Sequence, residues 1–452
     1  FVCPECGEEM VYWDVAVDKK MGIVYDDWPC PGCQVKLCKS KKKGSKALRI
    51  EPAWETTIDL LEHQSIRQIK QVPVLINYKH GKKSFEKQPD ADDIALIEKV
   101  KSLNNPYPFP KDRMAIGRES RRNDDKGITH VHMFYTARNL FVISALWSRC
   151  KRTDTKWLIS SIMQRANKQH QIAISRIGTE RKKEGGKTAG HRRGTLYLPS
   201  NQVEYSVTEL FRERIRVAVK ALKIINSNKG MQTVAAISTT DSAKTGLTDA
   251  CIDYIFVDPP FGENIWYSEL NFFWEAWLKV YTNNKDEAVV NSAQNKGLNE
   301  YTKLMYECFS EFYRILKPGR WITVEFHNSL NKVWNAIQDA LQRAGFVVAD
   351  VRILDKKKKT HTQVTARGSV DKDLVISAYK PNGLLVERFK LKAGTEEGVW
   401  EFVRYHLGKL HPLNQRDQFL IVNPERQPYL LFDRMVAFHI KHGVSLPISA
   451  SQ

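Results

Sequence analysis

Acidic residues are in deficit: 51 Asp and Glu stand against 70 Lys and Arg, a formal net charge of +19. Such an excess points to a polyanionic partner, nucleic acid ahead of an anionic membrane surface. Long apolar runs are missing too. Among the longest is Asn139-Trp147, NLFVISALW, far short of the roughly 18 residues a spanning helix needs, which excludes a helical membrane protein. Cysteine is sparse, at positions 3, 6, 30, 33, 38, 150, 251 and 308. That is too thin for a disulfide scaffold, and a cytoplasmic location is the simpler reading. No basic n-region or small-residue cleavage site precedes the first motif, which excludes a secretory signal. The chain starts at Phe1, not Met, and stops abruptly at Ala450-Ser451-Gln452, so it is expected to be a piece of a longer polypeptide. What remains is ordinary globular material, 42% hydrophobic and 27% charged, of a length that suggests roughly two to four domains.

Four of the cysteines form Cys3-Pro4-Glu5-Cys6-Gly7 and Cys30-Pro31-Gly32-Cys33. Two C-x-x-C knuckles at this spacing place four thiolates where one tetrahedral zinc can be enclosed, and the prolines and glycines permit the tight turns. Cys3, Cys6, Cys30 and Cys33 are therefore the expected metal ligands of a zinc ribbon, with Cys38 a poorer substitute. Four ligands leave no open position, so the zinc would be structural. Met10 to Val17 alternates well enough for a strand, with a return starting at Gly22 to Tyr25. The tract Lys39-Ser40-Lys41-Lys42-Lys43-Gly44-Ser45-Lys46 reads as a solvated linker or as a phosphate contact.

The chain divides by pattern into a ribbon and basic linker (1–46), a small α/β segment (47–105), a helical insert (106–230), an α/β core (231–382) and a helical extension (383–452). In the second, Val72 to Tyr78 predicts a strand, and Asp90 a cap for a helix through Ile94, Ile97 and Val100. The insert carries helical patterns over Tyr135–Arg149, Lys156–Lys168 and Val207–Ile225. Between the last two lies Arg176 to Gly194, rich in glycine and cations and nearly devoid of apolar side chains. Such a loop cannot pack a core. It reads as a surface loop or as a backbone clamp, with Arg181, Lys182, Lys183, Lys187, Arg192 and Arg193 as the candidate nucleic-acid contacts. His439 and His442, three apart on an expected helix, read as ordinary helix-surface or partner histidines, since no further ligand is close in sequence.

Cys251 to Phe261, CIDYIFVDPPF, predicts a buried strand that delivers Asp258-Pro259-Pro260-Phe261 at its carboxyl end, where open α/β sheets place their ligands. The two prolines fix the backbone and remove two amide donors. A carboxylate and a rigid carbonyl together can accept both hydrogens of an amino group, and the phenyl ring offers a stacking face. Downstream, helix Tyr301–Leu316, strand Trp321–Phe326, helix Val333–Ala344 and a hairpin of Phe346–Leu354 with Asp373–Tyr379 complete an α/β order, the hairpin joined by the basic loop Lys356–Lys359. Glu275, Trp274 and Trp277 are expected on a helix packed against the sheet. Thr233 to Ile237 predicts a short strand leading to Asp241.

Asp-Pro-Pro-aromatic at a strand end resembles the signature of the S-adenosylmethionine-dependent amino-methyltransferases, chiefly DNA adenine-N6 and cytosine-N4 enzymes. The stretch Tyr254–Leu270, the ribbon, Met133–Leu146, Thr195–Ser200 and Leu430–Leu446 resemble a group of large zinc-ribbon-containing prokaryotic DNA methylases. The resemblance implies an α/β fold with a class I (Rossmann-like) methyltransferase sheet, accompanied by the ribbon and the helical insert. It implies Asp258, Pro259, Pro260 and Phe261 as catalytic residues, S-adenosylmethionine as cofactor, structural zinc and DNA as partner. Asp241 would accept from the cofactor's adenine amino group, against the plainer reading of a turn-capping aspartate. Asp at the motif's first position favours adenine N6, while cytosine N4, an RNA amino group, or a vestigial methylase fold serving a zinc-ribbon binding module remain alternatives.

The same resemblance requires a glycine-rich turn for the methionine part of the cofactor, and none follows a suitable strand here. The methyltransferase sheet is therefore expected to be incomplete at its N-terminal half. A preceding segment or a second polypeptide would supply the rest of the cofactor pocket.

Overall fold

The computed structural model describes residues 1–41, 43–58, 65–176, 188–227, 235–327, 331–354, 373–411, 413–416 and 419–449. They form two compact units, Phe1–Val234 with Tyr267–Thr282, and Ala235–Trp266 with Asn283–Gln452. Residues 267–282, read from the sequence as part of the 231–382 core, group with the first unit.

The first unit opens on the ribbon. Strand Asp27–Pro29 pairs antiparallel with Lys36–Cys38, which runs parallel to Leu48–Arg49. The strand expected over Met10–Val17 is instead a helical turn, Tyr12–Val15, followed by Val17–Asp18 paired with Ile23–Val24. The reason is visible in burial: Met10, Trp13, Ala16 and Val17 point inward, a three-and-four spacing that suits a helical turn rather than alternation. Two hairpins follow, Trp54–Ile58 with Ser65–Ile69 and Ile76–His80 with Lys83–Lys87. The second turns through Gly81 at φ +60°. Helix Ala91–Lys101 has the predicted cap: Asp90 and Asp93 each accept the other's backbone amide, at 2.9 and 3.0 Å.

Helices Ala137–Arg149, Thr153–Met163 and Val207–Ser227 match the three predicted patterns within a few residues. Helix Tyr267–Leu278 joins them, burying Phe273, Ala276 and Trp277 in a core with Phe134, Leu140, Ile143, Ile159 and Ile162. Trp274, Glu275 and Trp277 are on a helix as expected, but its buried face packs in this core and not, as expected, on the sheet. Aromatic partners decide it: Trp277 lies edge-on to Tyr135 and Trp147, and Trp274 Nε1 donates to the Ser160 carbonyl at 3.1 Å.

The second unit holds a four-stranded mixed sheet in the order Ile252–Val257, Leu316–Phe326, Asp373–Tyr379, Val347–Leu354. The first two run parallel; Asp373–Tyr379 is antiparallel to both of its neighbours. Helices Leu298–Ile315 and Asn331–Ala344 cover one face through Ile255, Ile322, Val324, Phe326, Val348 and Ile376. Helices Gly383–Leu391, Glu396–Lys409 and Pro428–Lys441 pack on the other, against Val347, Ala349 and Tyr379. That second covering stops short of the motif strand. Tyr254, Trp321, Tyr379 and Val347 are successive cross-strand partners on one face; Tyr379 and Val347 are buried, Trp321 is half-buried, and Tyr254 is 54% exposed. Phe256, on the same face, is exposed as well. Among the described residues, the strand read as fully buried is thus an edge strand with one covered face, and only Ile255 is buried within it.

Candidate active site

The motif strand ends at Val257, and Asp258 follows, exposed, with Pro259 and Pro260 half-buried behind it. The turn is fixed from below. Tyr301, wholly buried on helix Leu298–Ile315, donates its hydroxyl to the Pro260 carbonyl at 2.6 Å. Burial pushes that phenol well above its usual range, so it stays a neutral donor. Gly262 takes φ +74°, a left-handed conformation that glycine adopts without a Cβ clash, and its carbonyl accepts from Val290 N at 3.1 Å. Trp266 Nε1 donates back to the Val290 carbonyl at 3.1 Å.

Phe261 sits edge-on to Phe326, 5.3 Å between centroids, and to His327 at 6.2 Å. His327 follows the end of the central strand, and its Nδ1 lies 2.6 Å from Oδ1 of the buried Asp373. The carbonyl of His327 accepts from Asn264 at 3.4 Å. The strand-end loops of two neighbouring strands therefore meet around Phe261. Tyr301, His327 and Asp373 were not singled out in the sequence. His327 had a usable signal, its place just past a strand's carboxyl end; Tyr301 had none, because its partner is 41 residues away.

Asp241 lies on an exposed turn, where its Oδ1 accepts from Ala243 N at 2.9 Å. Residues 235–237, expected to belong to a strand, are not in one among the described residues, and Ile237 is 96% exposed. No neighbouring strand is present there, among the described residues, to pair with them. The segment beyond is anchored: Thr245 N and Oγ1 donate to Glu311 at 2.9 and 2.6 Å. Arg314, with these Thr245 bonds, holds the Glu311 carboxyl down to about 2.

The four ribbon cysteines come together as predicted, with all four sulfurs within 4.8 Å of one another. Cys3 and Cys33 Sγ are 3.8 Å apart, Cys6 and Cys30 3.7 Å. A zinc–sulfur bond of roughly 2.3 Å in a tetrahedron sets sulfurs about 3.8 Å apart, so the cluster fits that ion. The two knuckles are built alike. Gly7 N donates to the Cys3 carbonyl and Gln34 N to the Cys30 carbonyl, both at 3.0 Å, and Gly7 and Gln34 both have positive φ. The Cys33 backbone amide leads in drawing the Cys30 thiol down to about 7, against desolvation. Cys38 stands apart, its Sγ on the Ala47 carbonyl at 3.7 Å. Among the described residues, no other cluster of His, Cys, Asp or Glu could hold a metal. His439 is buried, with Nδ1 2.9 Å from the Met435 carbonyl.

Arg192 and Arg193 are exposed. Arg181, Lys182, Lys183 and Lys187 lie outside the described residues, as does the basic loop Lys356–Lys359.

Residues 252–417 match a family of DNA methylases of the N6 and N4 type. This stretch is similar to that family of DNA methylases. It is less than half of the chain and includes the motif strand, the strand-end loop and the whole four-stranded sheet. Solved structures are similar at low level. A protein from Thermus thermophilus named as a DNA modification methylase is 15% identical over 32% of this chain and 51% of its own, with a TM-score of 0.20. The same protein complexed with S-adenosyl-L-methionine matches over 45% of this chain and 74% of its own, at 13% identity and a TM-score of 0.21. A SAM-dependent methyltransferase from Methanosarcina mazei matches over 38% and 78%, at 13% and 0.21. The chain spans about half the length of the first of these. No curated protein matches the chain significantly.

Proposed function

We propose that this protein works as an S-adenosylmethionine-dependent DNA amino-methyltransferase with adenine N6 as acceptor. One observation carries the reading: Asp258-Pro259-Pro260-Phe261 leaves the carboxyl end of a sheet strand with its backbone pinned by Tyr301. An exocyclic amine is a poor nucleophile because its lone pair is delocalised into the ring. Accepting both amino hydrogens, on the Asp258 carboxylate and the Pro259 carbonyl, pulls the nitrogen towards a tetrahedral shape and localises that pair. Tyr301 occupies the next carbonyl, Pro260, and so holds the proline pair rigid while the amine approaches. The base must leave the duplex to reach the site, and stacking on Phe261 offsets part of the unstacking cost. The cofactor, when bound, supplies an electrophilic methyl group. Asp258 at the motif's first position supports adenine over cytosine.

The residues present suit the amine better than the cofactor, since Asp241 is the one cofactor candidate and its Oδ1 already caps a turn. A preceding segment or a second polypeptide would complete the cofactor pocket and the α/β sheet in the class I manner. The open strand Ile252–Val257, with Tyr254 and Phe256 exposed, supports that assignment. The ribbon holds one structural zinc through Cys3, Cys6, Cys30 and Cys33.

The test is labelled methyl transfer to DNA and to RNA, with the chain alone and with its upstream segment restored, identifying the modified base. The restored protein should methylate adenine N6 in DNA, and Asp258→Ala should abolish transfer while DNA binding survives. Full activity in Asp258→Ala would overturn the mechanism. Cytosine N4 as product would overturn the adenine assignment, and methylated RNA alone would overturn DNA as substrate.

A further inference from the structure

Three basic segments far apart in sequence converge in the first unit. Lys39, the first residue after strand Lys36–Cys38, donates to Ser200 Oγ at 2.6 Å and lies 4.9 Å from the Tyr12 ring. Around Tyr197 stand Arg122 at 5.9 Å, Lys126 at 5.6 Å and Arg192 at 5.1 Å from the ring centroid. The ring attracts these cations through its quadrupole, negative on the face. Its own position is fixed from beneath. Glu119 accepts from Leu196 N at 3.0 Å, and Asn123 donates to the Leu196 carbonyl at 2.8 Å; both are buried.

Carboxylates offset part of this charge, chiefly that of Arg122. Glu119 pairs with Arg122 through both oxygens, at 2.5 and 2.8 Å, while accepting from the Leu196 amide, and the charge of Asp125 raises the Lys126 pKa against desolvation. Desolvation lowers the Lys39 and Lys126 pKa values, with the charge of Lys126 adding to the effect on Lys39 and that of Arg122 to the effect on Lys126. Lys39 and Lys126, from separate segments, are thus held partly out of water against the charges of their cationic neighbours. An anion relieves that repulsion, and two guanidinium groups beside two ammonium groups match phosphodiester oxygens.

We propose that Lys39, beside Tyr12, and Arg122, Lys126 and Arg192, around Tyr197, form a preorganised binding site for the phosphate backbone of duplex DNA. The site rests on the DNA reading above and adds Arg122, Lys126 and Tyr197, which neither basic tract of the sequence contains. It also joins the linker after the ribbon and the end of the 176–194 loop into one surface.

The experiment measures binding of the full, zinc-loaded chain to a labelled duplex across a range of salt concentrations. Lys39→Ala, Lys126→Ala and Arg192→Ala should each reduce the log-log salt slope by about 0.9, and the triple variant by about 2.7. Removing Lys79, Lys82 and Lys83, three exposed lysines of the Ile76–Lys87 hairpin, takes away the same charge and should leave the slope within one unit of the parent. Equal losses in both triples would overturn the site and leave a diffuse effect of net charge. Tyr197→Phe should bind as the parent does, and Tyr197→Leu several-fold more weakly, with zinc content and melting temperature unchanged in both. Parental affinity in Tyr197→Leu would overturn the role of the ring. Slope losses confined to the Tyr197 cluster in a protein that transfers no methyl group would refute the catalytic reading and support this site.

Discussion

Tyr301 and His406 show what a single buried side chain decides. The Tyr301 hydroxyl is the donor to the Pro260 carbonyl, and removing it leaves a half-buried acceptor without its partner. Tyr301→Phe should destabilise the protein by about 1–3 kcal/mol, read from urea unfolding, and should lower the methyl-transfer rate more than it raises the DNA KM. An unchanged unfolding midpoint would show that the bond does not hold the motif. His406 is fully buried under Tyr379, its Nδ1 2.9 Å from the phenol oxygen. Desolvation, with the charge of Arg434 adding, depresses its pKa from 6.5 to about 4. The unfolded chain therefore binds a proton more readily than the folded one. The stabilisation is complete above about 6.5 and is lost as pH falls towards about 4, up to roughly 3 kcal/mol in all. Stability measured at about pH 7 and pH 5 should show this loss in the parent and much less of it in His406→Gln. Equal slopes in both would exclude His406 as the source.

Among the elements, the ribbon and the helix after the motif make the clearest claims. Two knuckles of matching backbone geometry close on one set of four sulfurs, so the chain should bind zinc one to one. Chelation should raise hydrogen exchange in the first 50 or so residues and leave the four-stranded sheet protected. Native protein without zinc would refute the ribbon. Helix Tyr267–Leu278 is anchored by the buried Glu269, whose Oε2 accepts from the Glu119 and Ser120 amides at 2.7 and 3.0 Å. The carboxylate passes directly over Gly117, where an added Cβ would lie 2.2 Å from the Glu269 carboxyl carbon. Because that carboxylate is committed to two amides, it cannot swing aside cheaply. Gly117→Ala should cost about 1–3 kcal/mol in thermal or urea unfolding, and a neutral result would show that the anchor is loose.

At the level of the whole molecule, charge and an uneven covering of the sheet carry the functional argument. A net charge of +19 predicts DNA affinity that falls steeply with salt, while the Tyr197 cluster locates part of that charge on one prepared surface. In the second unit, the C-terminal helices bury Tyr379 and leave Tyr254 and Phe256 bare. An edge strand with an apolar face of this kind offers itself to a further strand and its covering layer. The chain alone should accordingly bind labelled S-adenosylmethionine weakly or not at all, and tight equilibrium binding would show that the pocket needs no further segment. Among the described residues, no helix is long and apolar enough to cross a membrane.

Local chemistry was legible in the sequence. The two C-x-x-C knuckles, the Asp90 cap, the helices over 137–149 and 298–315, the 347–379 hairpin strands and the Asp258-Pro259-Pro260-Phe261 strand end depend on spacing and on short-range backbone preference. Each therefore appears where periodicity or turn chemistry puts it. What failed were readings that needed a neighbour. Met10–Val17 alternates in sequence, but Trp13 and Ala16 found a core on one side and the segment turned helical. The apolar run Ile252–Val257 looks doubly buried, yet its outer face is bare because the covering helices reach no further than Trp321 on the neighbouring strand. Tyr301 beneath Pro260, Glu269 against Gly117, Lys39 on Ser200 and Lys126 beside Tyr197 join residues roughly 40 to 160 positions apart. No periodicity encodes such pairs; they exist only once the elements have packed, because packing alone chooses which distant side chains share a small volume.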